Sequence, residues 1–528
     1  MVHNQQYTRG IEVSLNPASQ LDASQLLKPV RRGALSHRCE GPGASLSGRA
    51  PYVAAMTASQ LIAAAGSREP AARSPWRAEF GETIRLAAPM AAAQLGQIAM
   101  MTTDLALLGR LGAEVVAAAA LGHTILFAAF TIGMGLVSAV APLASQAFGA
   151  RQPRYVRRSV RVGVWASVIT GVPLTLLQFW GEDFLIVLGQ QPRPAELAGL
   201  FLRGLAWCLI PAWIFMVLRN FMSAVNRPEP ALWITLVAIP LNAGLAYALI
   251  YGAFGFPELG IMGAGYATTI VNIFMCAAAI WVCYTRHPFK KFRVLGKFWR
   301  TDWPLFGRLL AVGLPISGAF MLEYGLFAAA ALLMGRLGTS AIAAHQIALQ
   351  TAAILYMVPF GISMAATVRV GQAVGRGDSD ATRRAGFVAI ALAAIFMVVM
   401  TLVIALTRHS IPLVFLGQEA TVESETVALA ATLLVLGATF FITDGIQSVA
   451  AGALRGLNDT RIPLLIAAFS FWVVGFASSY VFGFTLGLGP IGVWIGLSIG
   501  TGLFAILLLW RFNVLTRAGY MPTVPGAA

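Results

Sequence analysis

Long apolar runs, separated by short polar segments, occupy the chain from residue 84 to residue 511. A helix needs roughly 20 mostly apolar residues to cross about 30 Å of membrane hydrocarbon. Twelve runs reach that length, at residues 84–109, 117–146, 160–180, 198–222, 231–253, 262–283, 306–333, 341–368, 385–407, 427–452, 463–484 and 490–511. The pattern therefore predicts an all-α polytopic membrane protein with twelve transmembrane helices.

Lys and Arg residues are concentrated in alternate connecting segments. The segments after the second, fourth, sixth, eighth and tenth runs carry 17 of them, whereas the other connecting segments carry four. Cytoplasmic loops of membrane proteins are enriched in Lys and Arg. The alternation predicts that both termini are cytoplasmic, and it accounts for the net charge of +15 without a nucleic acid partner.

The composition excludes several classes of soluble protein. Apolar residues make up 58% of the 528 residues and charged residues 11%, whereas soluble proteins are about 25% charged. The four cysteines form no CxxC pair, so the sequence predicts neither a disulfide framework nor a cysteine metal site. It also lacks a Walker phosphate-binding loop and a nucleophile elbow, which predicts a protein that is not an enzyme and has no cofactor.

The two ends of the chain differ from the apolar runs. Residues 1–78 are rich in Gly, Ser, Arg and Pro and contain no run long enough to span a membrane, so we expect a disordered cytoplasmic tail there. A further hypothesis is that translation starts at Met56. Residues 516–528 predict a second, short cytoplasmic tail.

Short motifs recur at a nearly constant distance along the chain. The segment Gly109-Arg-Leu-Gly112 returns as Gly335-Arg-Leu-Gly338, and Gln146-Ala-Phe-Gly149 returns as Gln372-Ala-Val-Gly375, each 226 residues later. Further matching pairs are Pro89 with Pro315 and Asn226 with Asn458. The recurrence predicts an internal repeat of six helices.

The repeat divides the spanning part of the chain into two lobes. Residues 79–300 form the N-terminal lobe with its connecting loop, and residues 301–515 form the C-terminal lobe. Because an even number of spans returns the chain to its starting side, the two lobes have the same orientation. Such parallel repeats are typical of secondary transporters that bind their substrate between the halves; a channel or a membrane enzyme is the alternative.

Three acidic residues lie well inside apolar runs, namely Asp104, Glu323 and Asp444. A charged group at the bilayer centre costs roughly 2.5–3.5 kcal/mol on insertion scales. Such a carboxyl group can carry a proton between the two sides, or hold Na⁺ together with neighbouring oxygens. The alternative is a structural hydrogen bond between helices. We predict a cation-coupling site at Glu323 and Asp444, and a separate one at Asp104.

Polar and aromatic neighbours could support these acids. On the tenth run, Phe440 and Gln447 lie about one turn from Asp444, and Thr443 precedes it. The repeat maps Glu323 back onto Gln97. Phe320, Met321 and Tyr324 surround Glu323 in sequence and would suit flat lipophilic cations, although in a chain this apolar ordinary packing is the stronger explanation.

Several segments together resemble the multidrug and toxin extrusion (MATE) transporters of the NorM-type branch. They are Tyr251–Gly260, Gly263–Thr268, Ala343–Leu349, Ala451–Arg461 and Val225–Pro228. The resemblance implies twelve helices in two six-helix lobes, acting as a monomer in a bacterial inner membrane. It also implies export of cationic amphipathic drugs in exchange for Na⁺ or H⁺.

The family's acidic positions in helices one, seven and ten match Asp104, Glu323 and Asp444. Two positions depart from the family pattern. A tyrosine often found one turn before the helix-ten acid is Phe440 here, and of two polar residues in helix five, Asn242 is present while the second is Ala246. Both departures remove oxygen ligands and leave the choice between Na⁺ and H⁺ open.

Two rival carriers remain as alternatives. A flippase for a lipid-linked saccharide would need a cluster of buried Arg or Lys residues for the pyrophosphate. A major-facilitator carrier would carry an Asp-containing motif after the second helix, where this chain has Phe148-Gly-Ala-Arg-Gln-Pro153.

Overall fold

Twelve long helices overlap the twelve predicted runs in a computed structural model, which describes residues 74–294, 296, 298–300, 302–416 and 424–522. They are α1 (Pro75–Gly109), α2 (Glu114–Gly149), α3 (Pro153–Gln178), α4 (Pro192–Ala224), α5 (Glu229–Tyr251), α6 (Gly260–Thr285), α7 (Trp303–Leu337), α8 (Thr339–Arg376), α9 (Ser379–Thr407), α10 (Glu425–Gly456), α11 (Arg461–Thr485) and α12 (Gly489–Arg517). Eleven of them, α2 to α12, are long and apolar enough to cross a membrane. The predicted all-α polytopic fold is confirmed.

Helix α1 is the one of the twelve that is not apolar enough to count as a candidate membrane span, and it begins earlier than expected. It has 35 residues, but Gln94, Gln97 and Asp104 lower its hydropathy. The Ser74 side chain accepts a hydrogen bond from the backbone N–H of Arg77 and so caps the helix. Residues 75–78, which the sequence assigns to the tail, are therefore helical. The earlier residues, including Met56, lie outside the described residues.

The internal repeat is visible in the backbone. A short helix follows the third helix of each half, at Gly181–Val187 and at Ser410–Leu416. The matched asparagines Asn226 and Asn458 both adopt left-handed backbone angles, with φ of 60° and 58°. Left-handed φ is uncommon outside glycine, although asparagine tolerates it well. The two six-helix lobes, called here the N lobe (α1–α6) and the C lobe (α7–α12), thus share local structure as well as sequence.

Each lobe lends one helix to the apolar core of the other. Leu86 and Met90 of α1 pack in a buried cluster built mostly from the C lobe. Leu309 and Ile316 of α7 pack in a cluster built mostly from the N lobe. These residues lie in the halves of α1 and α7 nearest the end where α1 begins and α12 ends, called here the basic end. The lobes are therefore packed together at the basic end.

Glycines allow the backbones of the two lobes to touch. A Cβ on Gly135 of α2 would lie 2.4 Å from the Cα of Ser317 of α7, and a Cβ on Gly361 of α8 would lie 2.5 Å from the Cα of Ala91 of α1. Both the glycines and their partners are related by the 226-residue repeat. The lobe interface therefore has pseudo-twofold symmetry, in which each contact occurs twice.

Ion pairs close the lobe interface at the basic end. Arg369 of α8 donates two hydrogen bonds of 2.8 Å to the Glu79 carboxylate of α1. Arg158 of α3 donates to the carboxylate of Asp302, the residue that caps α7. The Arg158 guanidinium holds the pKa of Asp302 below its usual value.

Replacing Asp302 by Asn should lower the unfolding temperature at pH 7 by a small amount. A carboxyl group with a lowered pKa stabilises the folded state above its unfolded pKa of about 3.9, and that contribution disappears as the pH falls through the folded-state pKa. Because the Arg158 side chain is 46% exposed, we expect at most about 1 kcal/mol. Thermal unfolding in detergent should show a difference between wild type and Asp302→Asn at pH 7 that shrinks below about pH 3.9.

The exposed aspartate Asp183 offers a matched control. The variant Asp183→Asn should unfold like the wild type at both pH values. A stability difference for Asp302→Asn that is the same at pH 3 and pH 7 would show that the ion pair does not act through the charge of Asp302.

Candidate functional site

One side-chain amide joins the two deep acids of the C lobe. The Nε2 atom of Gln447 donates to Oε1 of Glu323 at 2.8 Å and to Oδ1 of Asp444 at 3.0 Å. Asp444 and Gln447 are 5% and 2% exposed, and Glu323 is half-buried. Helix α7 supplies Glu323, and α10 supplies the other two because residues three apart lie on one helical face. The two acids that the sequence places at membrane depth thus share one hydrogen-bond donor.

A small polar cavity opens beside this pair. Its lining includes Phe320, Glu323, Tyr356, Gln447, Ser448 and Arg455, and its volume is about 30 Å³. The hydroxyl groups of Ser448 and Tyr356 are 3.2 Å apart. A space of this size admits a water molecule or a bare cation, but it is too small for a drug molecule.

Arg455 forms one wall of this cavity near the basic end. Its guanidinium carbon lies 4.8 Å from the centre of the Phe320 ring, within the range of a cation–π contact. The sequence pattern placed Arg455 in a connecting loop, but the residue belongs to the last turns of α10. A fixed positive charge therefore lines the same cavity as the Glu323 carboxylate.

The other two predicted supporting residues of α10, Phe440 and Thr443, make their contacts with groups other than the acids. The hydroxyl of Thr443 bonds to the backbone oxygens of Thr439 and Phe440 and lies 3.3 Å from the Thr501 hydroxyl of α12. Phe440 is 1% exposed, and its ring packs against Trp494. These two side chains therefore support helix packing around the site.

The three residues predicted to line a substrate cavity separate in the structure. Phe320 lines the polar cavity. The ring of Tyr324 packs against Phe127 of α2, with centroids 5.0 Å apart, so it lies at the lobe interface near mid-membrane. Met321 is half-buried on the same helix.

The deep acid of the N lobe has its own polar partners. Asp104 is 8% exposed. Asn242 Nδ2 of α5 donates to its Oδ1 atom at 2.6 Å, and the Thr268 hydroxyl of α6 donates to its Oδ2 atom at 3.0 Å. Ala246, one turn beyond Asn242, is fully buried and adds no oxygen. The structure therefore brings Asp104 and Asn242 together, while Gln97 is half-buried on the same helix as Asp104.

Both sites present amide nitrogen atoms to their carboxylates. Amide N–H groups satisfy the hydrogen-bonding needs of these carboxyl groups when no metal ion is bound, and the arrangement is compatible with a proton as the coupling ion. Sodium prefers oxygen ligands, so Na⁺ binding would require the amide of Gln447 or Asn242 to turn its oxygen toward the ion. Because the oxygen and the NH₂ group of an amide are nearly equal in size, both orientations fit the same space.

Sequence reasoning missed several polar residues that the structure places at depth. Thr268 reaches Asp104 only because α6 packs beside α1, and no local pattern reveals that contact. Arg219 of α4 is 3% exposed and donates to Gln94 of α1 at 2.6 Å. An arginine inside an apolar run is a visible signal, and it could have been identified as readily as the acids were.

Comparisons with known proteins agree with this architecture. A sequence model of the MatE family matches residues 89–248 and, a second time, residues 315–481. A relative from Rhodopseudomonas palustris, named as a probable multidrug resistance protein NorM, is 63% identical over 465 residues, which cover 88% of this chain and 98% of the relative. A relative of the same name from Bradyrhizobium diazoefficiens is 54% identical over 439 residues, with 83% and 94% covered.

Solved structures share the fold at lower identity. The crystal structure of the eukaryotic MATE transporter AtDTX14 matches with a TM-score of 0.75 and 21% identity, over 84% of this chain and 98% of that one. A multidrug resistance MATE family transporter in an outward-facing conformation matches with a TM-score of 0.73 and 21% identity, over 84% and 97%.

Proposed function

The chain belongs to the MatE family of transporters, and from that membership we propose that it is a secondary active multidrug efflux transporter. It exports cationic amphipathic compounds in exchange for Na⁺ or H⁺ by alternating access. The names of the relatives from Rhodopseudomonas palustris and Bradyrhizobium diazoefficiens support the drug as the exported substrate. The inner membrane of a bacterium is the location that fits these relatives, with the basic end and both termini in the cytoplasm.

The observation that carries the coupling mechanism is the amide of Gln447 bridging Glu323 and Asp444. Two carboxylates this close, away from bulk water, repel each other strongly unless a cation or a proton lies between them. Coupling-ion binding removes that repulsion. A cationic drug that approaches the same carboxylates competes with the coupling ion, and this competition is the basis of exchange.

Competition for one site links the gradient of the coupling ion to the gradient of the drug. A ligand shifts a conformational equilibrium only by the difference in its affinity for the two states. We assign the coupling ion to the outward-facing state, where its binding displaces the drug to the outside. An exchange of one coupling ion for one singly charged drug moves no net charge, so the chemical gradient of the ion drives it, and a tenfold ion gradient (about 1.4 kcal/mol) supports a drug gradient of about tenfold. Each additional coupling ion that moves inward adds about 2.3 kcal/mol per 100 mV of membrane potential.

The described conformation fits the step of the transport cycle that follows drug release. The lobes meet at the basic end, where Glu79 pairs with Arg369 and Arg158 pairs with Asp302. The cavity of about 30 Å³ fits an ion-sized occupant and not a drug. Both features support a state in which access from the cytoplasm is closed after drug release.

Replacing Gln447 by Leu tests the proposed function in cells. Loss of the shared donor leaves two carboxyl groups without a partner, which should disturb coupling-ion binding and reduce ethidium export at least tenfold. The measurement is ethidium accumulation in a drug-sensitive host that expresses either the wild type or Gln447→Leu at equal levels in the membrane.

The control is Gln178→Leu. Gln178 is as buried as Gln447, at 2% exposed, and it is the last residue of α3, at the end of that helix far from the basic end. Wild type and Gln178→Leu should keep ethidium low. Equal accumulation with and without the wild-type protein would reject drug export as its function.

A further inference from the structure

Two glutamines on the lobe-facing helices each clamp a turn of the opposite lobe at the basic end. Gln146 of α2 is 2% exposed and donates to the backbone oxygen of Gly456 at 2.9 Å. Its own Oε1 atom accepts a hydrogen bond from Asn458 at 2.8 Å. Both ends of the Gln146 amide are therefore bound to the turn between α10 and α11 of the C lobe.

The second clamp repeats the first with the lobes exchanged. Gln372 of α8 is 2% exposed and donates to the backbone oxygen of Ala224 at 2.9 Å and to Oδ1 of Asn226 at 3.0 Å. Asn226 donates back to the Gln372 oxygen at 3.4 Å. The partner is the turn between α4 and α5 of the N lobe, so the repeat generates the same contact twice.

The backbones beneath the two clamps are in direct contact. A Cβ on Gly149 would lie 2.2 Å from the backbone oxygen of Gln372, and a Cβ on Gly375 would lie 2.1 Å from the backbone oxygen of Gln146. A Cβ on Gly371 would lie 3.2 Å from the Cβ of Ser145. The ends of α2 and α8 thus cross with no side chain between them, which leaves no passage along this seam.

The asparagines of the clamps are suited to their place. Asn226 and Asn458 each follow the last turn of a helix with φ near 60°, where asparagine is among the few side chains that fit readily. A glycine would fit the backbone but could not reach the glutamine. The repeated left-handed asparagine is therefore explained by the amide contact it makes across the lobes.

From this geometry we infer that Gln146–Asn458 and Gln372–Asn226 form a paired cytoplasmic gate. The inference rests on the proposed alternating access, in which the lobes separate at the basic end to admit the drug. Each amide group exchanges a protein partner for water when the lobes part, so the gate opens at modest cost. Because one rigid movement breaks both clamps, they open together.

The two clamps are unequal in strength. Asn226 Oδ1 accepts a hydrogen bond from Gln372, whereas Asn458 Oδ1 is buried and has no partner among the described residues. Removing the Gln372 side chain therefore breaks more hydrogen bonds than removing that of Gln146. We expect the closed state to be weakened more by Gln372→Ala than by Gln146→Ala.

Distances between spin labels in reconstituted protein measure the gate directly. Labels at Arg154→Cys of α3 and Asp380→Cys of α9 measure the distance between the lobes, because one lies in each lobe. Both positions are exposed at the basic end. Labels at Arg154→Cys and Lys290→Cys, both in the N lobe, provide the reference pair. The background carries Cys39→Ser, and the remaining native cysteines are buried.

The double variant Gln146→Ala/Gln372→Ala should raise the ratio of separated to closed molecules about tenfold, the factor that corresponds to about 1.4 kcal/mol. The reference pair should not change, which shows that the N lobe remains folded, and Gln178→Ala should match the wild type. An unchanged distance distribution across the lobes in the double variant would overturn the gate.

A cross-link separates failure of the gate from failure of the proposed function. The Cβ separation at Ser145 and Gly371 is close to that of a disulfide, so oxidation of Ser145→Cys/Gly371→Cys should seal the seam and stop ethidium export until a reductant is added. Full export by the oxidised protein would contradict alternating access itself. A block by the cross-link, with no response to the glutamine variants, would reject only the clamps.

Discussion

Replacing Glu323 by Gln, or Asp444 by Asn, should abolish drug export and leave the amount of protein in the membrane unchanged. Each variant keeps the shape of the side chain and an oxygen that can accept from Gln447, but removes one of the two charges that the coupling ion neutralises. Without coupling, the drug gradient that the ion gradient supports collapses to equilibrium. Ethidium accumulation and drug resistance in a sensitive host measure the effect.

The matched control is Glu425→Gln. Glu425 is an exposed acid in the first turn of α10, so it lies on the same helix as Asp444 but far from the cavity. Resistance should stay at the wild-type level in this variant. If Glu323→Gln and Asp444→Asn both retained full resistance, the coupling role of the pair would be refuted.

Replacing Asp104 by Asn should reduce drug export at least tenfold, although the variant changes only the N-lobe site and leaves Glu323 and Asp444 intact. In the variant the Asn242 amide keeps an oxygen acceptor, and the Thr268 hydroxyl can accept from the new amide N–H while it donates to the backbone oxygen of Ala264 at 3.2 Å. The local packing of α1, α5 and α6 is therefore preserved while the charge is lost. The account expects a second cation site here, and the variant should export more slowly at every imposed ion gradient. Transport rates in vesicles at several Na⁺ concentrations and pH values measure this effect.

Thr268→Val provides a graded comparison because it removes one hydrogen bond of 3.0 Å and leaves the Asp104 charge in place. We expect it to lie between wild type and Asp104→Asn. Wild-type rates in Asp104→Asn across all ion conditions would show that Asp104 has only a structural role.

The fold could be predicted from the sequence because a membrane-spanning helix is identified by a run of about 20 apolar residues. Twelve apolar runs predicted twelve helices, and the 226-residue offset predicted two related lobes. The structure shows this relation in the contact of Gly135 with Ser317, which is repeated as that of Gly361 with Ala91. The start of α1 at Pro75 was missed because a capped helical turn outside the hydrocarbon needs no apolar run. Hydropathy indicates which residues lie inside the membrane, whereas the start of a helix outside the membrane depends on one or two capping residues.

The site was predicted in part. Depth alone selected Asp104, Glu323 and Asp444, because charge in an apolar run is rare. Gln447 was found from helical spacing, but Thr443 was assigned beside Asp444 although consecutive residues point about 100° apart on a helix. Partners on other helices, such as Thr268 and Tyr356, depend on helix packing, which one sequence does not record.

Ethidium transport in inside-out membrane vesicles tests the central claim most directly. With Na⁺ or H⁺ more concentrated in the lumen, which corresponds to the outside of the cell, the wild type should accumulate ethidium in the lumen. Dissipating the gradient should stop accumulation, and Glu323→Gln should show none under either gradient. Accumulation by the wild type that is equally fast with no Na⁺ gradient and no pH gradient would contradict the account.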